Sequence, residues 1–302
     1  MVACPALGVP PPRIAELDAG DGVALCLEHH GEGAARSVVF AHGFGQTRHA
    51  WSETARAIAL EGYHCVSADG RGHGDSGWLA GGDYHVDQFV GDARRIAAVP
   101  AQRPVWVGAS MGGLLGLLAQ GESDATQFEA LVLVDVTPSW ETAGVERIMA
   151  FMRAHPEGFE SLAHAQREVA AYLPHRASAK SPERLRKLLV AMPNGRLRWH
   201  WDPRLLDTVA RDAPQWRERL QAAARRLSLP VLLVSGGRSD LVSERTIAEF
   251  MRLVPHATHT SIADATHMVV GDANDRFSAT ILDYLRWLRG QALAPQGTAH
   301  RG

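Results

Sequence analysis

The stretch that decides the fold lies at residues 105–113 and reads Val105-Trp106-Val107-Gly108-Ala109-Ser110-Met111-Gly112-Gly113. Its apolar start is typical of a short buried strand at 104–107, and the apolar run that follows Ser110 has the composition and length of a buried helix at 111–120. Ser110 is therefore predicted to lie at a tight turn from strand to helix. Side chains beside such a turn would collide with its neighbours, which explains glycine at Gly108 and Gly112. We predict that Ser110 projects from this turn as a nucleophile.

Outward from the turn, short β-branched runs alternate with segments of helical periodicity. This pattern is typical of parallel strands joined by crossover helices. We predict strands at 37–41, 64–68, 104–107, 130–136, 231–235 and 259–262, an antiparallel edge strand at 24–30, and helices at 50–60, 86–99, 111–120, 145–153, 161–172, 182–191, 215–226, 244–253 and 275–289. The expected fold class is α/β, with a mostly parallel sheet flanked by helices.

The alternation breaks after Val136, where a long segment without a predicted strand precedes residue 231. Connections in compact domains are usually much shorter, about 4–6 residues, so an insertion is expected here. We predict a core domain made of 1–136 and 213–290, a helical cap (lid) at 137–212, and a mobile tail at 291–302.

Two motifs upstream of the turn add a family resemblance. The segment after the predicted strand 37–41 reads His42-Gly43-Phe44-Gly45, and the segment after the next strand reads Asp69-Gly70-Arg71-Gly72-His73-Gly74-Asp75-Ser76. With the turn at Ser110, these motifs resemble the α/β-hydrolase superfamily, of the capped serine hydrolase or esterase type, over residues 21–289. The resemblance implies that the backbone N–H groups of Phe44 and Met111 form an oxyanion hole. The loop at 69–76 is interpreted as a structural marker of the fold.

The superfamily keeps its catalytic groups in the chain order serine, acid, histidine. The resemblance implies His267 as the base, because it follows the last predicted strand and precedes the last helix. Asp240 is predicted as the acid, because it follows the strand at 231–235 on a loop with two adjacent glycines. Asp135, at the end of the preceding strand, stays open as the alternative acid, since some members of the superfamily carry the acid one strand earlier.

Substrate predictions depend on the cap, which is rich in large apolar side chains and indicates an apolar pocket over Ser110. The residues predicted to line this pocket are His42, Trp140, Phe151, Met152, Trp199 and Met268. The segment at 198–204 mixes rings with charges and is either an anchor of the cap or a polar contact to substrate. We predict hydrolysis of a carboxylic ester or lactone of a small, largely apolar molecule, through an acyl-enzyme and a triad of Ser110, Asp240 and His267.

Several other activities share these motifs. Serine at the turn argues against the epoxide hydrolases and haloalkane dehalogenases of this fold, which use a carboxylate nucleophile. Carbon–carbon bond hydrolases and cofactor-free haloperoxidase-like or perhydrolase enzymes remain as alternatives. A non-catalytic ligand-binding protein on the same scaffold is the alternative from a different class.

Composition limits the partners and the location. A formal net charge of -2 offers no field that would attract nucleic acid or an anionic membrane. The first residues lack a secretory pattern and no apolar stretch suits a membrane span, so a cytoplasmic protein is expected. The three cysteines lack the spacing of a disulfide framework or zinc site, and neither a metal nor an organic cofactor is expected. The oligomeric state is not indicated.

Overall fold

A computed structural model describes residues 10–173 and 182–293. The strands are β1 (Arg13–Asp18), β2 (Ala24–His30), β3 (Arg36–Ala41), β4 (Tyr63–Ala68), β5 (Val105–Ala109), β6 (Ala130–Val134), β7 (Leu189–Ala191), β8 (Leu197–Trp199), β9 (Val231–Gly236) and β10 (Thr258–Ile262). The helices are α1 (Ser52–Leu60), α2 (Val86–Ala97), α3 (Met111–Gly121), α4 (Thr142–Arg153), α5 (Leu162–Tyr172), α6 (Pro182–Arg186), α7 (Leu205–Arg225), α8 (Glu244–Leu253), α9 (Val269–Asp272) and α10 (Asn274–Leu293). The tail predicted from residue 291 begins inside α10, and its residues 294–302 lie outside the described part.

Eight strands form one sheet in the order β1-β2-β4-β3-β5-β6-β9-β10. The pairs that involve β2 are antiparallel, and all other neighbours in this sheet are parallel. The predicted α/β class with a mostly parallel sheet is confirmed. The strand at β2 is antiparallel as predicted, but β1 lies outside it and forms the edge. Both faces of β1 are largely solvated, so its residues carry little of the apolar pattern that marks a strand.

The central strands are buried on both faces. Within β5, Val105 and Val107 face a core shared with α1 and α10, while Trp106 faces a core shared with α2, α3 and α7. All five residues of β6 are buried. Continuous apolar runs are typical of parallel strands covered by helices on both sides. Reactive polar groups must therefore lie where these strands end.

The chain between β6 and β9 forms α4, α5, α6, the antiparallel pair β7–β8 and α7. The helix predicted at 182–191 is wrong in its second half, because residues 189–191 pair with β8. Helix α7 continues across the predicted boundary between 212 and 213, and its two ends pack differently. Leu205 joins a cluster with Tyr84 and Trp201, and Leu220 packs in the core beside α3. Within the described residues, no helix is both long and apolar enough to cross a bilayer.

Candidate active site

Ser110 occupies a strained turn between β5 and α3. Its backbone has φ 48° and ψ -119°, a conformation that costs a residue with a side chain about 1–3 kcal/mol. The neighbours come so close that a Cβ on Gly108 would lie 2.3 Å from the Gly112 oxygen, and a Cβ on Gly112 2.4 Å from the Ala41 oxygen. The predicted need for glycine at both positions is confirmed, and the turn holds Ser110 at the carboxyl end of the sheet.

His267 is hydrogen-bonded to Asp135. The distance from His267 Nδ1 to Asp135 Oδ2 is 2.7 Å, and the Asp135 side chain is fully buried. The Gly236 N–H donates to Asp135 Oδ1 at 2.7 Å, and the Ser239 hydroxyl donates to Oδ2 at 2.5 Å. Three donors therefore compensate the desolvation of this carboxylate. The arrangement fixes the orientation of the His267 ring. The other ring nitrogen, Nε2, takes no part in this bond.

The prediction that Asp240 orients His267 is wrong. The Asp240 carboxylate instead lies 3.0 Å from Arg147 Nη2 of α4. The Asp240 backbone also packs against α4, because a Cβ on Gly144 would come 2.2 Å from the Asp240 oxygen. The loop after β9 bends so that Ser239, one residue earlier, meets Asp135. Asp135, the alternative acid, occupies the position that was predicted for Asp240.

Sheet order brings Ser110 close to Asp135 in space. β6 is the neighbour of β5, and the Ser110 N–H donates to the Val134 oxygen at 3.0 Å, one residue before Asp135. In the part of the chain that the structure describes, no hydrogen bond joins Ser110 Oγ to His267. Such bonds are often long without substrate and tighten when it binds.

Two backbone amides lie where an oxyanion hole is expected. Met111 is the first residue of α3, so its N–H has no partner within the helix. The loop that carries Phe44 runs beside the serine, since a Cβ on Gly43 would lie 3.8 Å from Ser110 Oγ. Among the described residues, neither the Phe44 nor the Met111 amide has an acceptor. Both are thus available to a bound oxygen.

His42 holds the loop of Phe44 in place. Its Nδ1 donates to the Gly43 oxygen at 2.8 Å, and its Nε2 accepts from the Gly70 N–H at 2.9 Å. Burial lowers the pKa of the His42 imidazole, which favours the neutral form that these two bonds require. Both ring nitrogens are thus occupied and the side chain is buried, so His42 shapes this loop, and its place in the substrate pocket stays a prediction.

Two further buried histidines, missed by the sequence analysis, join the Phe44 loop to the cap. His73 Nε2 accepts from the Gly45 N–H at 3.2 Å. His200 Nδ1 accepts from the Gly74 N–H at 2.7 Å, and its Nε2 lies 3.4 Å from the Gly45 oxygen. Burial lowers the pKa of His200 to about 4 and that of His73 well below its ordinary range. We call His42, His73 and His200 the histidine latch, because they tie two loops of the core to the segment after β8.

The segment at 198–204 is an anchor. The Tyr84 hydroxyl donates to Asp202 Oδ2 at 2.8 Å, and the Asp202 N–H donates to the Gly72 oxygen at 2.8 Å. The loop at 69–76 has the structural role that was predicted. Its Arg71 side chain is buried and binds Asp92 through two bonds of 2.6 and 2.7 Å.

The other predicted pocket residues lie in different surroundings. Met152 comes close to Gly45 and joins the cluster with Trp201. Phe151 stacks on Tyr172 with ring centroids 4.1 Å apart and contacts Trp199. Two remaining positions are Trp140, packed against the core beside α3, and Met268, directly after His267. Of the pocket residues predicted in the cap, Met152 therefore lies against the oxyanion loop.

A sheet of this topology, with a serine at the strained turn, a buried carboxylate after the neighbouring strand and a histidine bound to that carboxylate, defines an α/β hydrolase. Within that class the chain belongs to the family described as serine aminopeptidase, S33, whose model matches residues 33–274. This membership agrees with the resemblance drawn from the motifs.

The known proteins that this chain resembles include ester hydrolases. The chain is 32% identical over 249 residues to the 3-hydroxybutyrate-oligomer hydrolase of Cupriavidus necator, covering 77% of this chain and 82% of that one. It is 29% identical over 278 residues to esterase Rv0045c of Mycobacterium tuberculosis, covering 87% and 86%. The crystal structure of that esterase matches with a TM-score of 0.70 over 92% of each chain, at 26% identity. Another solved structure, E-2-(acetamidomethylene)succinate hydrolase, shares the fold with a TM-score of 0.78 at 22% identity over 91% and 99%. The chain is an ester-hydrolysing α/β hydrolase.

Proposed function

We propose that the protein is a serine esterase whose triad is Ser110, His267 and Asp135. The observation that carries the proposal is the 2.7 Å bond between His267 and the fully buried Asp135, one residue beyond the backbone partner of Ser110. A base oriented by a third group beside a nucleophile is the arrangement that activates a hydroxyl. Residues 137–212 serve as a cap that forms the roof of the site.

In the proposed mechanism, His267 Nε2 accepts the proton of Ser110 as its Oγ attacks the ester carbonyl. The carbonyl oxygen becomes an oxyanion that accepts from the Phe44 and Met111 N–H groups. His267 then gives its proton to the leaving alkoxide, and the carbon–oxygen bond of the ester breaks. Water, deprotonated by His267, hydrolyses the acyl-enzyme and restores Ser110. Asp135 keeps the proton on Nδ1 throughout and stabilises the imidazolium.

The substrate proposed is a carboxylic ester or lactone of a small, largely apolar molecule. Apolar side chains surround the oxyanion loop, since Phe44 packs on Trp201 with centroids 5.3 Å apart and Met152 lies against Gly45. Pockets with apolar walls and few polar groups bind such molecules.

A short oligoester of 3-hydroxy acids is the second candidate. The relative from Cupriavidus necator carries that activity in its name. The Trp201 Nε1–H is buried and has no acceptor among the described residues, on the cap side of Gly45. An indole N–H here would suit a second carbonyl oxygen of a longer acyl chain.

Labelling with a fluorophosphonate probe tests the nucleophile. The wild-type protein should be labelled, Ser110→Ala should not, and Ser228→Ala, which changes an exposed serine, should be labelled like wild type. Circular dichroism confirms that each variant is folded. Absence of labelling in folded wild-type protein would contradict the serine esterase mechanism.

A substrate panel tests the ester class. We expect the highest kcat/KM on short acyl or aryl esters or lactones, and low turnover of vinylogous diketones, which report carbon–carbon bond hydrolysis. Preference for the 3-hydroxybutyrate dimer over butyrate esters of equal length would favour the second candidate. In that case Trp201→Phe should lower the preference for the dimer while sparing simple esters.

A further inference from the structure

A cluster of two histidines and a glutamate lies on the cap, apart from the triad. His164 and Glu168 are four residues apart on α5 and so share one face of that helix. His155 reaches them from the turn that follows α4. One donor atom from each of the three side chains lies within 4.8 Å of the others. The sequence analysis expected no metal. The turn between α4 and α5 separates His155 from the helical pair along the chain, so the three residues form no local spacing pattern.

Each histidine nitrogen lies near one of the two Glu168 carboxylate oxygens, at about the distance that separates two ligands of one ion. His155 Nε2 lies 3.2 Å from Glu168 Oε2, and His164 Nε2 lies 3.6 Å from Glu168 Oε1. Ligands placed roughly 2.0–2.1 Å from tetrahedral zinc are about 3.3 Å apart. Two imidazoles and one carboxylate also form a donor set that zinc and its neighbours in the first transition row accept.

Hydrogen bonding does not explain the cluster. His155 Nε2 is buried and makes no hydrogen bond to a described residue, although Glu168 is near. Phe159 packs on the His155 ring at 4.7 Å and on the His164 ring at 5.8 Å between centroids, which holds both imidazoles in place. The side chains of His155 and His164 are each 20% exposed and that of Glu168 is 38% exposed, so the cluster lies at the surface of the cap.

Two other groups of possible ligands already have partners. Glu32, beside His29 and His64, is bound by Arg13 at 2.6 and 2.7 Å. The His29 and His64 rings are hydrogen-bonded to each other at 3.0 Å.

The third group, Cys26 with Asp69 and Asp75, surrounds the Arg48 guanidinium, which pairs with both carboxylates. Burial also raises the pKa of the Cys26 thiol, which disfavours the thiolate that a metal needs. In the described part of the chain, no arginine or lysine pairs with Glu168.

We propose that His155, His164 and Glu168 bind a divalent first-row transition ion, of which Zn²⁺ is the best match. The ion takes Nε2 of both histidines and one carboxylate oxygen, and water completes its shell. Binding breaks the 3.3 Å bond in which the Glu160 N–H donates to His164 Nδ1, because Nδ1 must then carry the proton. The ion ties the end of α4, the helix that carries Met152, to α5.

Isothermal titration calorimetry with Zn²⁺ on chelator-treated protein tests the proposal. We expect one bound ion per chain in wild type, and affinity at least about tenfold lower in His155→Asn, His164→Asn and Glu168→Gln. His64→Asn is the matched control, because it removes a histidine from the sheet-edge group and should leave the affinity unchanged. Turnover of an aryl ester without metal reports whether each variant is folded.

A second measurement does not depend on the variants. Zn²⁺ should raise the melting temperature of wild type, and EDTA should reverse the rise. No binding by wild type, or equal affinity in wild type and all three ligand variants, would overturn the proposal. Loss of affinity in His64→Asn alone would assign the ion to the sheet edge instead.

Discussion

Asp135 has an unusual backbone conformation, and its carboxylate accepts three hydrogen bonds. Its φ is 50°, a value rare for residues with a side chain, and its carboxylate accepts from His267, Ser239 and the Gly236 amide. The backbone aims the side chain toward the loop of His267, and the other donors hold it there. A group so constrained determines the orientation of His267, the proposed base.

Replacing Asp135 with asparagine should lower kcat on an aryl ester by about ten-thousand-fold. The asparagine amide favours the wrong tautomer of His267, whose Nε2 then carries a proton and cannot accept one from Ser110. Asp240→Asn is the matched control and should stay close to wild type, because Asp240 pairs with Arg147. The reverse ranking of the two variants would return the acid role to Asp240.

The strained backbone at Ser110 should be visible in the free energy of unfolding. Ser110→Gly and Ser110→Ala both remove the hydroxyl, but only glycine adopts φ 48° without strain. After the entropy that glycine loses on folding, we expect Ser110→Gly to be about 1 kcal/mol more stable than Ser110→Ala. Urea denaturation measures the difference. Equal stability of the two variants would show that the turn is not strained.

At the scale of loops and secondary-structure elements, the histidine latch connects the cap to the oxyanion loop. His200 follows β8, and its ring bonds the Gly74 amide and the Gly45 oxygen of two core loops. Gly45 adjoins Phe44, whose amide is proposed to bind the oxyanion. The position of this amide therefore depends on how the segment after β8 sits on the core.

His200→Ala should lower kcat by about 10–100-fold with a smaller change in KM, because a small displacement of catalytic groups slows the chemical step. His200→Asn should recover most of the rate, since its Oδ1 can accept from the Gly74 N–H. His256→Ala serves as the control, because the hydrogen bond that His256 makes in the described part of the chain is to the Leu229 oxygen, away from the site. Equal kcat in His200→Ala and wild type would show that the latch does not position the oxyanion hole.

For the whole molecule, the latch makes stability depend on pH. Burial lowers the pKa of His200 from 6.5 to about 4, against the weaker opposite effect of Asp69 and Asp75, and the pKa values of His42 and His73 are lowered too. Below pH 6.5 these histidines bind protons in the unfolded chain but stay neutral in the folded chain. The stabilisation is therefore complete above pH 6.5 and is lost as the pH falls toward 4.

The drop in unfolding free energy from pH 7 to pH 4 should be about 3 kcal/mol smaller in His200→Asn than in wild type. The value follows from a folded pKa of about 4 against the ordinary 6.5. Urea titrations at pH 7, 5.5 and 4 measure it. Parallel curves for the two proteins would contradict a neutral, buried His200.

Much of the core could be predicted because its signals are local. Apolar runs buried on both faces marked β3 to β6, and the glycines at 108 and 112 marked the turn at Ser110 before any contact was known. Strand β1 was missed because it is solvated on both faces. The pair β7–β8 was missed because its strands are three residues long. Strands this short form because they pair with a partner strand, and their own sequence pattern is too short to predict them.

The sequence by itself determined the turn at Ser110 and the class of chemistry, and it predicted the nucleophile, since each depends on residues next to one another in the chain. Only the tertiary structure decided the partner of His267. Asp135 and Asp240 both follow a buried strand, so no local pattern separates them. The choice depends on the order β5-β6-β9 and on the bend that turns Asp240 toward α4. A hydrogen bond between residues 132 positions apart is a property of that packing.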